Sequence, residues 1–190
     1  MEGTDEALAA TVRQLIDLLG VEPYLESAQR TASRVADMYR EVFSGTATDA
    51  ASLLAPLIPL SAQQRQLVAL SSVRFFSMCE HHFLPFYGCV DLGYVAGQHI
   101  IGIGRLTRLV QALARRPQLQ EKLTEQIVRH IESALKPEGV AVHVVARHLC
   151  EAMRGAREEN QVLHTYSFRG VLETDVAYRS AFLESISKSA

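Results

Sequence analysis

Phe86-Tyr87-Gly88-Cys89-Val90-Asp91-Leu92-Gly93-Tyr94-Val95 reads as a β-strand, rich in aromatic and aliphatic residues. Just upstream, residues 66–76 carry the same β-forming, aliphatic texture. Downstream, Ala96-Gly97-Gln98 suits a tight turn into a further short strand, His99 to Ile103. Helical spacing then takes over. Leu106, Leu109, Val110 and Leu113 mark one helix, and Pro117 separates it from a second. The second carries Leu119, Leu123, Ile127 and Ile131 and stops at Lys136-Pro137-Glu138-Gly139. Val140 to Cys150 and Val162 to Leu172 are β-rich, and a short terminal helix includes Phe182 and Ile186. Before all of this come two helices. One spans 5–19 and is stopped by Gly20; the other spans 27–43, with Ala28, Val35, Met38, Tyr39 and Val42 on its apolar stripe. Residues 44–64 have no sustained period and read as a connector with one short helix at most. The expected architecture is α+β: a helical region over 1–64, then a unit of hairpin, helix pair and hairpin over 65–190. No internal repeat or low-complexity segment interrupts it.

Composition sets the boundaries of function. The chain has 190 residues, 19 basic and 21 acidic, for a formal charge of −2, and 48% of it is hydrophobic. That balance describes a globular chain and argues against a general binder of nucleic acid or anionic membrane. No apolar run approaches the ~18 residues of a membrane span. The opening Met1-Glu2-Gly3-Thr4-Asp5-Glu6 lacks the order of a signal peptide, so a reducing cytoplasm is expected. Three cysteines, Cys79, Cys89 and Cys150, make no disulfide framework.

The densest chemistry is Ser77-Met78-Cys79-Glu80-His81-His82. Cys79 and His82 are three apart, a spacing that lets a turn or helical start aim both at one point. His148-Leu149-Cys150 forms a second dyad. If residues 140–150 are one strand, alternation puts His148 and Cys150 on the same face. Thiolate with imidazole favours Zn²⁺. With Cys79, His82 and Cys150 as ligands, one coordination position stays open, and His81 and His148 are left as free imidazoles for proton transfer. A closed structural site is the alternative, although no Cys-x-x-Cys pair exists, and the zinc-deaminase pattern is absent. Cys89 is expected to be a half-buried strand residue.

Ser77-Met78-Cys79-Glu80-His81-His82-Phe83-Leu84-Pro85-Phe86 resembles the signature of the GTP cyclohydrolase I family. So do Ile101-Gly102-Ile103 with Arg108-Leu109-Val110, Gln118-Leu119-Gln120-Glu121, Gly139-Val140-Ala141-Val142, and Ala146-Arg147-His148-Leu149-Cys150 with Met153-Arg154-Gly155. The agreement runs from about Leu18 to Leu183. The resemblance implies a tunnelling fold: a four-stranded antiparallel sheet backed by two antiparallel helices, after a helical N-terminal region. It implies pentameric rings stacked into a homodecamer with active sites at subunit interfaces. The implied reaction is zinc-dependent hydrolysis of the guanine imidazole ring of GTP at C8. Formate is released, and ribose rearrangement and ring closure give 7,8-dihydroneopterin triphosphate, the entry to tetrahydrofolate and related pterins. By the same resemblance Cys79, His82 and Cys150 are the zinc ligands. His148 is the acid–base for the imidazole-ring nitrogen, and His81 assists opening of the ribose. Glu121 reads the guanine edge with Gln120 adjacent. Arg108 and Arg154 clamp the triphosphate, Arg34 is a third member, and Arg105 keeps a cation of the family pattern.

This sequence also departs from that pattern. Ile101-Gly102-Ile103-Gly104-Arg105 stands where the family has Ile-Gly-Leu-Ser-Lys, so Gly104 lacks a hydroxyl near the ribose. Cys89 replaces a usual lysine, and Val145 a common acidic residue. Glu26-Ser27-Ala28 and Thr31-Ala32-Ser33-Arg34 differ from the family's early motif, as does Leu163-His164-Thr165-Tyr166-Ser167 from its Thr-rich run. The departures fall near the sugar-phosphate end. They admit a second enzymatic reading, a paralogue acting on a related purine nucleotide or stopping at a ring-opened formamidopyrimidine. His164 could then supply replacement acid–base chemistry, against the simpler reading of a surface histidine. A third reading, a non-catalytic nucleotide-binding ring protein, has the intact metal and imidazole set against it.

Overall fold

The computed structural model describes residues 2–60 and 66–187, with side chains from residue 6 onward. Backbone contacts divide the chain into two units, Met1–Ser44 and Gly45–Ala190. The domain boundary expected at 64/65 falls in 61–65, outside the described residues. In the first unit, α1 (Glu2–Leu19) and α2 (Ala28–Val42) pack together through Val12, Ile16, Ala28 and Ala32. Ser27 caps α2, its hydroxyl accepting from the Arg30 N–H at 3.3 Å.

The second unit begins with the connector, which is more ordered than its sequence suggests. It holds short 3₁₀ turns and β1 (Ile58–Pro59). The main sheet starts with β2 (Leu67–Cys79) and β3 (Pro85–Val95), an antiparallel hairpin. β4 (His99–Ile100) pairs with β1 rather than with the main sheet. Next come α3 (Ile103–Ala114), β5 (Pro117–Gln118) and α4 (Gln120–Leu135). A second hairpin, β6 (Gly139–His148) and β7 (Leu163–Gly170), brackets a one-turn helix α5 (Leu149–Ala152). The described residues close with α6 (Val171–Thr174) and α7 (Val176–Ser187).

The sheet order is β5-β2-β3-β6-β7, with β3 and β6 joining the two hairpins antiparallel. This is the expected four-stranded antiparallel sheet plus one addition. β5 adds two residues parallel to the end of β2, pairing Met78 with Pro117 and Cys79 with Gln118. Two residues carry no period, so the sequence showed Pro117 only as a separator.

Alternation explains the core. Val73 and Phe75 of β2, Phe86, Val90, Leu92 and Tyr94 of β3, and Val140, Val142 and Val144 of β6 face one side. There they meet Leu106, Leu109, Val110 and Leu113 of α3 and Leu123, Ile127 and Ile131 of α4. Phe182 of α7 covers one end of the opposite face, over Val95, Ala141 and Gly93. At Gly88 of β3 an added Cβ would lie 1.9 Å from the Val145 carbonyl oxygen, so a side chain there would force the strands apart.

Glu125 of α4 ties the helix to β7. Its carboxylate accepts from Arg169 Nη2 at 2.9 Å, Ser167 Oγ at 3.1 Å and Arg129 Nε at 2.9 Å. Partial burial alone would push its carboxyl up, but these hydrogen bonds and the Arg169 charge outweigh it and hold it below the usual range. A depressed folded pKa gives stability that is present above the unfolded pKa and is lost as pH falls through the folded one. Glu125→Gln should therefore lower the melting temperature at about pH 7, and the gap should close as the pH falls through the folded carboxyl's depressed pKa. Parallel thermal unfolding series of the two proteins check this.

Candidate active site

The β2–β3 hairpin closes through a tight turn that is tied down on both sides. The Cys79 N–H donates to the Leu84 carbonyl at 2.9 Å, and the Phe83 N–H donates to the Cys79 carbonyl at 2.9 Å. Phe83 takes a left-handed conformation, φ 51°, which completes the reversal. The Glu80 N–H donates to the Gln118 carbonyl at 3.0 Å, so the short β5 anchors the turn from outside. This conformation turns His82 back toward Cys79, with Nδ1 at 3.9 Å from Sγ.

Cys150 arrives from the other hairpin, though not in the expected way. Residues 140–150 are not one strand. β6 ends at His148, and Cys150 lies in the first turn of α5. Strand alternation therefore does not bring His148 and Cys150 together; a strand end followed by a helical turn does. The Sγ atoms of Cys79 and Cys150 and a ring nitrogen of His82 lie within 4.8 Å of one another. Cys79 and Cys150 are buried and His82 is exposed. Burial, reinforced by the neighbouring Cys79, pushes the Cys150 thiol above its ordinary range.

Around this cluster lies a cavity of about 330 Å³. His81, Gln120, Glu121 and His148 line it together with the three cluster residues. Gln118, Leu119, Glu151, Glu158, Gln161 and Leu163 complete the wall; the sequence reading gave none of them a site role, although Gln118, Leu119 and Leu163 lie in motifs it quoted. Glu151 adjoins Cys150 in the chain, the one signal that could have marked it.

His148 is held on two sides. Its ring stacks on Phe86, centroids 4.6 Å apart and 3° from parallel. Its Nε2 lies 2.9 Å from Gln120 Oε1. The tautomer follows from Gln120. The amide nitrogen donates to the Val144 and Leu163 carbonyls at 3.0 and 2.9 Å, so the amide oxygen faces His148 as an acceptor. The proton of the neutral ring then sits on Nε2 and the lone pair on Nδ1. Burial lowers the His148 pKa from its ordinary value, partly opposed by the charges of Glu121 and Glu151.

Gln120 itself is 1% exposed and its amide is bound to protein at both ends. Its side chain orients His148, and the exposed carboxylate of Glu121 beside it lines the cavity, as do those of Glu151 and Glu158. Gln120→Leu would strand the Val144 and Leu163 carbonyls and the His148 N–H, at about 1–3 kcal/mol for each group left unsatisfied. Urea unfolding of the variant should show that loss as a lower midpoint at unchanged slope.

The arginines lie elsewhere. Arg105, Arg108 and Arg154 are not among the residues lining the cavity. Arg105 Nη1 donates to the Leu53 carbonyl at 3.4 Å, Arg108 is exposed on α3, and Arg154 is exposed just beyond α5. Arg34 is exposed on α2, in the first unit. Cys89 is a partly buried strand residue, as expected.

Two thiols and an imidazole able to hold a metal ion lie beside two further imidazoles and the carboxylates of Glu121, Glu151 and Glu158, the side-chain set of a metal-ready pocket. Residues 8–187 match the family model for GTP cyclohydrolase I. GTP cyclohydrolase 1 of Rickettsia felis is 38% identical over 185 residues, 97% of each chain. GTP cyclohydrolase 1 of Fusobacterium nucleatum is 43% identical over 162 residues, 85% of this chain and 86% of that one. Among solved structures, the apo form of an archaeosine synthase QueF-Like is similar at a TM-score of 0.46 and 19% identity, covering 57% of this chain and 97% of that chain. The chain belongs to the GTP cyclohydrolase I family.

Proposed function

We propose that this protein hydrolyses the guanine imidazole ring of GTP at C8, releases formate and forms 7,8-dihydroneopterin triphosphate. The observation that carries the proposal is the convergence of Cys79, His82 and Cys150 beside His81, His148 and Glu121 in one cavity. Three donors within 4.8 Å of one another suit tetrahedral Zn²⁺, whose Zn–S bonds of about 2.3 Å place ligand atoms about 3.8 Å apart. When bound there, Zn²⁺ supplies Lewis-acid activation of water at neutral pH.

The chain's own residues do the rest. Glu121, exposed on the first turn of α4, accepts two N–H donors from the guanine edge, a pattern that rejects bases lacking them. His148 presents an Nδ1 lone pair on a ring fixed by Phe86 and Gln120, which suits it to exchange a proton with the imidazole-ring nitrogen. His81 sits on the turn at the cavity wall and serves the ribose.

The triphosphate needs guanidinium contacts, assigned to Arg105, Arg108, Arg154 and Arg34. Their absence from the cavity wall fits sites completed between subunits. Edge strands fit too: outside its contact with β5, β2 has no strand beyond it, and neither does β7, among the described residues. Pairing of such edges closes a ring, and we propose a homodecamer of two pentamers. The free cysteines suit a reducing cytoplasm, and among the described residues no helix is long and apolar enough to cross a membrane. The helical region and catalytic unit divide near 64/65 in this reading.

Gly104 favours a second reading, in which the later ribose chemistry is altered. A Cβ added there meets nothing closer than Arg108 Nη2 at 3.9 Å, so the missing hydroxyl is not excluded by crowding. One assay separates the readings. Zinc-loaded protein is incubated with GTP, formate is measured, and the other product is identified by mass spectrometry. Dihydroneopterin triphosphate with stoichiometric formate supports the first reading. A formamidopyrimidine, or turnover of another purine nucleotide alone, supports the second. No turnover at full zinc occupancy overturns both.

A further inference from the structure

A second cluster of metal-ligating side chains lies on the sheet face opposite the helices, built by strand register from three distant segments. β3 and β6 align Asp91 with His143, and β6 and β7 align His143 with Tyr166 and Val145 with His164. Asp91 Oδ2 lies 2.9 Å from His143 Nδ1, and His143 Nε2 lies 2.9 Å from His164 Nδ1. Asp91 and His143 are each 7% exposed, whereas His164 is exposed to solvent.

The inner half of this chain is rigidly held. The Ser72 N–H donates to Asp91 Oδ1 at 2.8 Å, which fixes the carboxylate. Tyr166 stacks on the His143 ring, centroids 4.4 Å apart and 11° from parallel. The carboxylate requires the His143 proton on Nδ1, which leaves the Nε2 lone pair facing His164. A neutral imidazole whose far nitrogen donates to a carboxylate is the arrangement that orients histidine ligands in metal sites. Two nitrogens each about 2.0–2.1 Å from one ion are about 2.9–3.4 Å apart at right-angled to tetrahedral geometry, and the hydrogen-bonded spacing of 2.9 Å meets the short end of that range. His143 Nε2 therefore accepts this hydrogen bond and His164 Nδ1 donates it. Moving the His164 proton from Nδ1 to Nε2 through water at the exposed ring, with a turn of that ring, frees the Nδ1 lone pair, and both nitrogens can then face one ion.

We infer that His143 and His164, backed by Asp91, form a second cation site that takes a divalent transition metal of the nickel, copper and zinc class, with water completing its coordination. Paired neutral imidazoles select this class over magnesium and calcium. The site lies across the sheet from the Cys79–His82–Cys150 cluster and shares no residue with it.

Nickel is the probe. Full-length protein is equilibrated with zinc, desalted, and titrated with Ni²⁺ by calorimetry. The expected result is one Ni²⁺ per chain, lost in His164→Ala, weakened about tenfold or more in Asp91→Asn, and unchanged in His99→Ala. Zinc content after desalting should be the same in all four proteins. Because His164 is exposed, its alanine variant is the principal test; circular dichroism and melting temperature check folding in Asp91→Asn. Absence of nickel binding to the parent protein overturns the inference, as does equal binding to His164→Ala or to a folded Asp91→Asn.

Discussion

Cys150→Ser is expected to reduce bound zinc from about one per chain to a trace and to abolish GTP turnover with it. Three protein ligands are the minimum of an open zinc site, and this substitution removes the one supplied by the second hairpin. Serine is close in size, and Cys150 is buried beside Cys79, so the fold should survive the exchange. Zinc analysis by atomic emission after desalting reads the first effect, and formate release reads the second. Stoichiometric zinc retained by the variant would show that Cys150 is not a ligand. The same measurement on Cys89→Ser supplies the contrast. Cys89 lies on β3 outside the cluster, and its loss should leave zinc content unchanged.

His148→Ala should separate metal from chemistry. The variant should keep its zinc and lose about 10²–10⁴-fold in the rate of ring opening, the range of a positioned acid–base group. Zinc is retained because the ligand cluster does not include His148. Activity is lost because Nδ1 is the nitrogen left free by the Gln120 hydrogen bond, on a ring that Phe86 holds in place. Single-turnover formate release alongside zinc content tests both halves. Near-normal turnover would remove His148 from the mechanism; loss of zinc would make it a ligand.

Much of this architecture was legible in the sequence. The strand read at 86–95 is β3, Pro85–Val95, because aromatic and aliphatic residues sustain it from end to end. The stripes through Leu106–Leu113 and Leu119–Ile131 became α3 and α4, since each repeats every three or four residues over several turns. What escaped was structure without a period. β5 is two residues long and owes its existence to the end of β2 beside it. The turn of α5 that carries Cys150 is four residues, too short for a helical pattern to be told from the end of a strand.

The site shows the same division. Cys79, His82 and the His148/Cys150 pair stood out because unusual residue types crowd into two short segments. Gln120 is different. The family resemblance alone placed it beside the substrate-reading carboxylate; its amide bridges Val144, Leu163 and His148, residues 24 to 43 positions away. No local pattern encodes such a contact. Asp91, His143 and His164 meet only through the register of three strands, so separations of 52 and 21 residues conceal the cluster. The arginines mark the converse case: recognisable in sequence, yet outside the cavity wall of a single chain.

Zinc K-edge X-ray absorption on the zinc-loaded protein bears most directly on the proposed centre. Two sulfur scatterers at about 2.3 Å, one imidazole nitrogen at about 2.0–2.1 Å and one further light atom from water are the predicted first shell. Four protein ligands, or a shell containing fewer than two sulfurs, would contradict it.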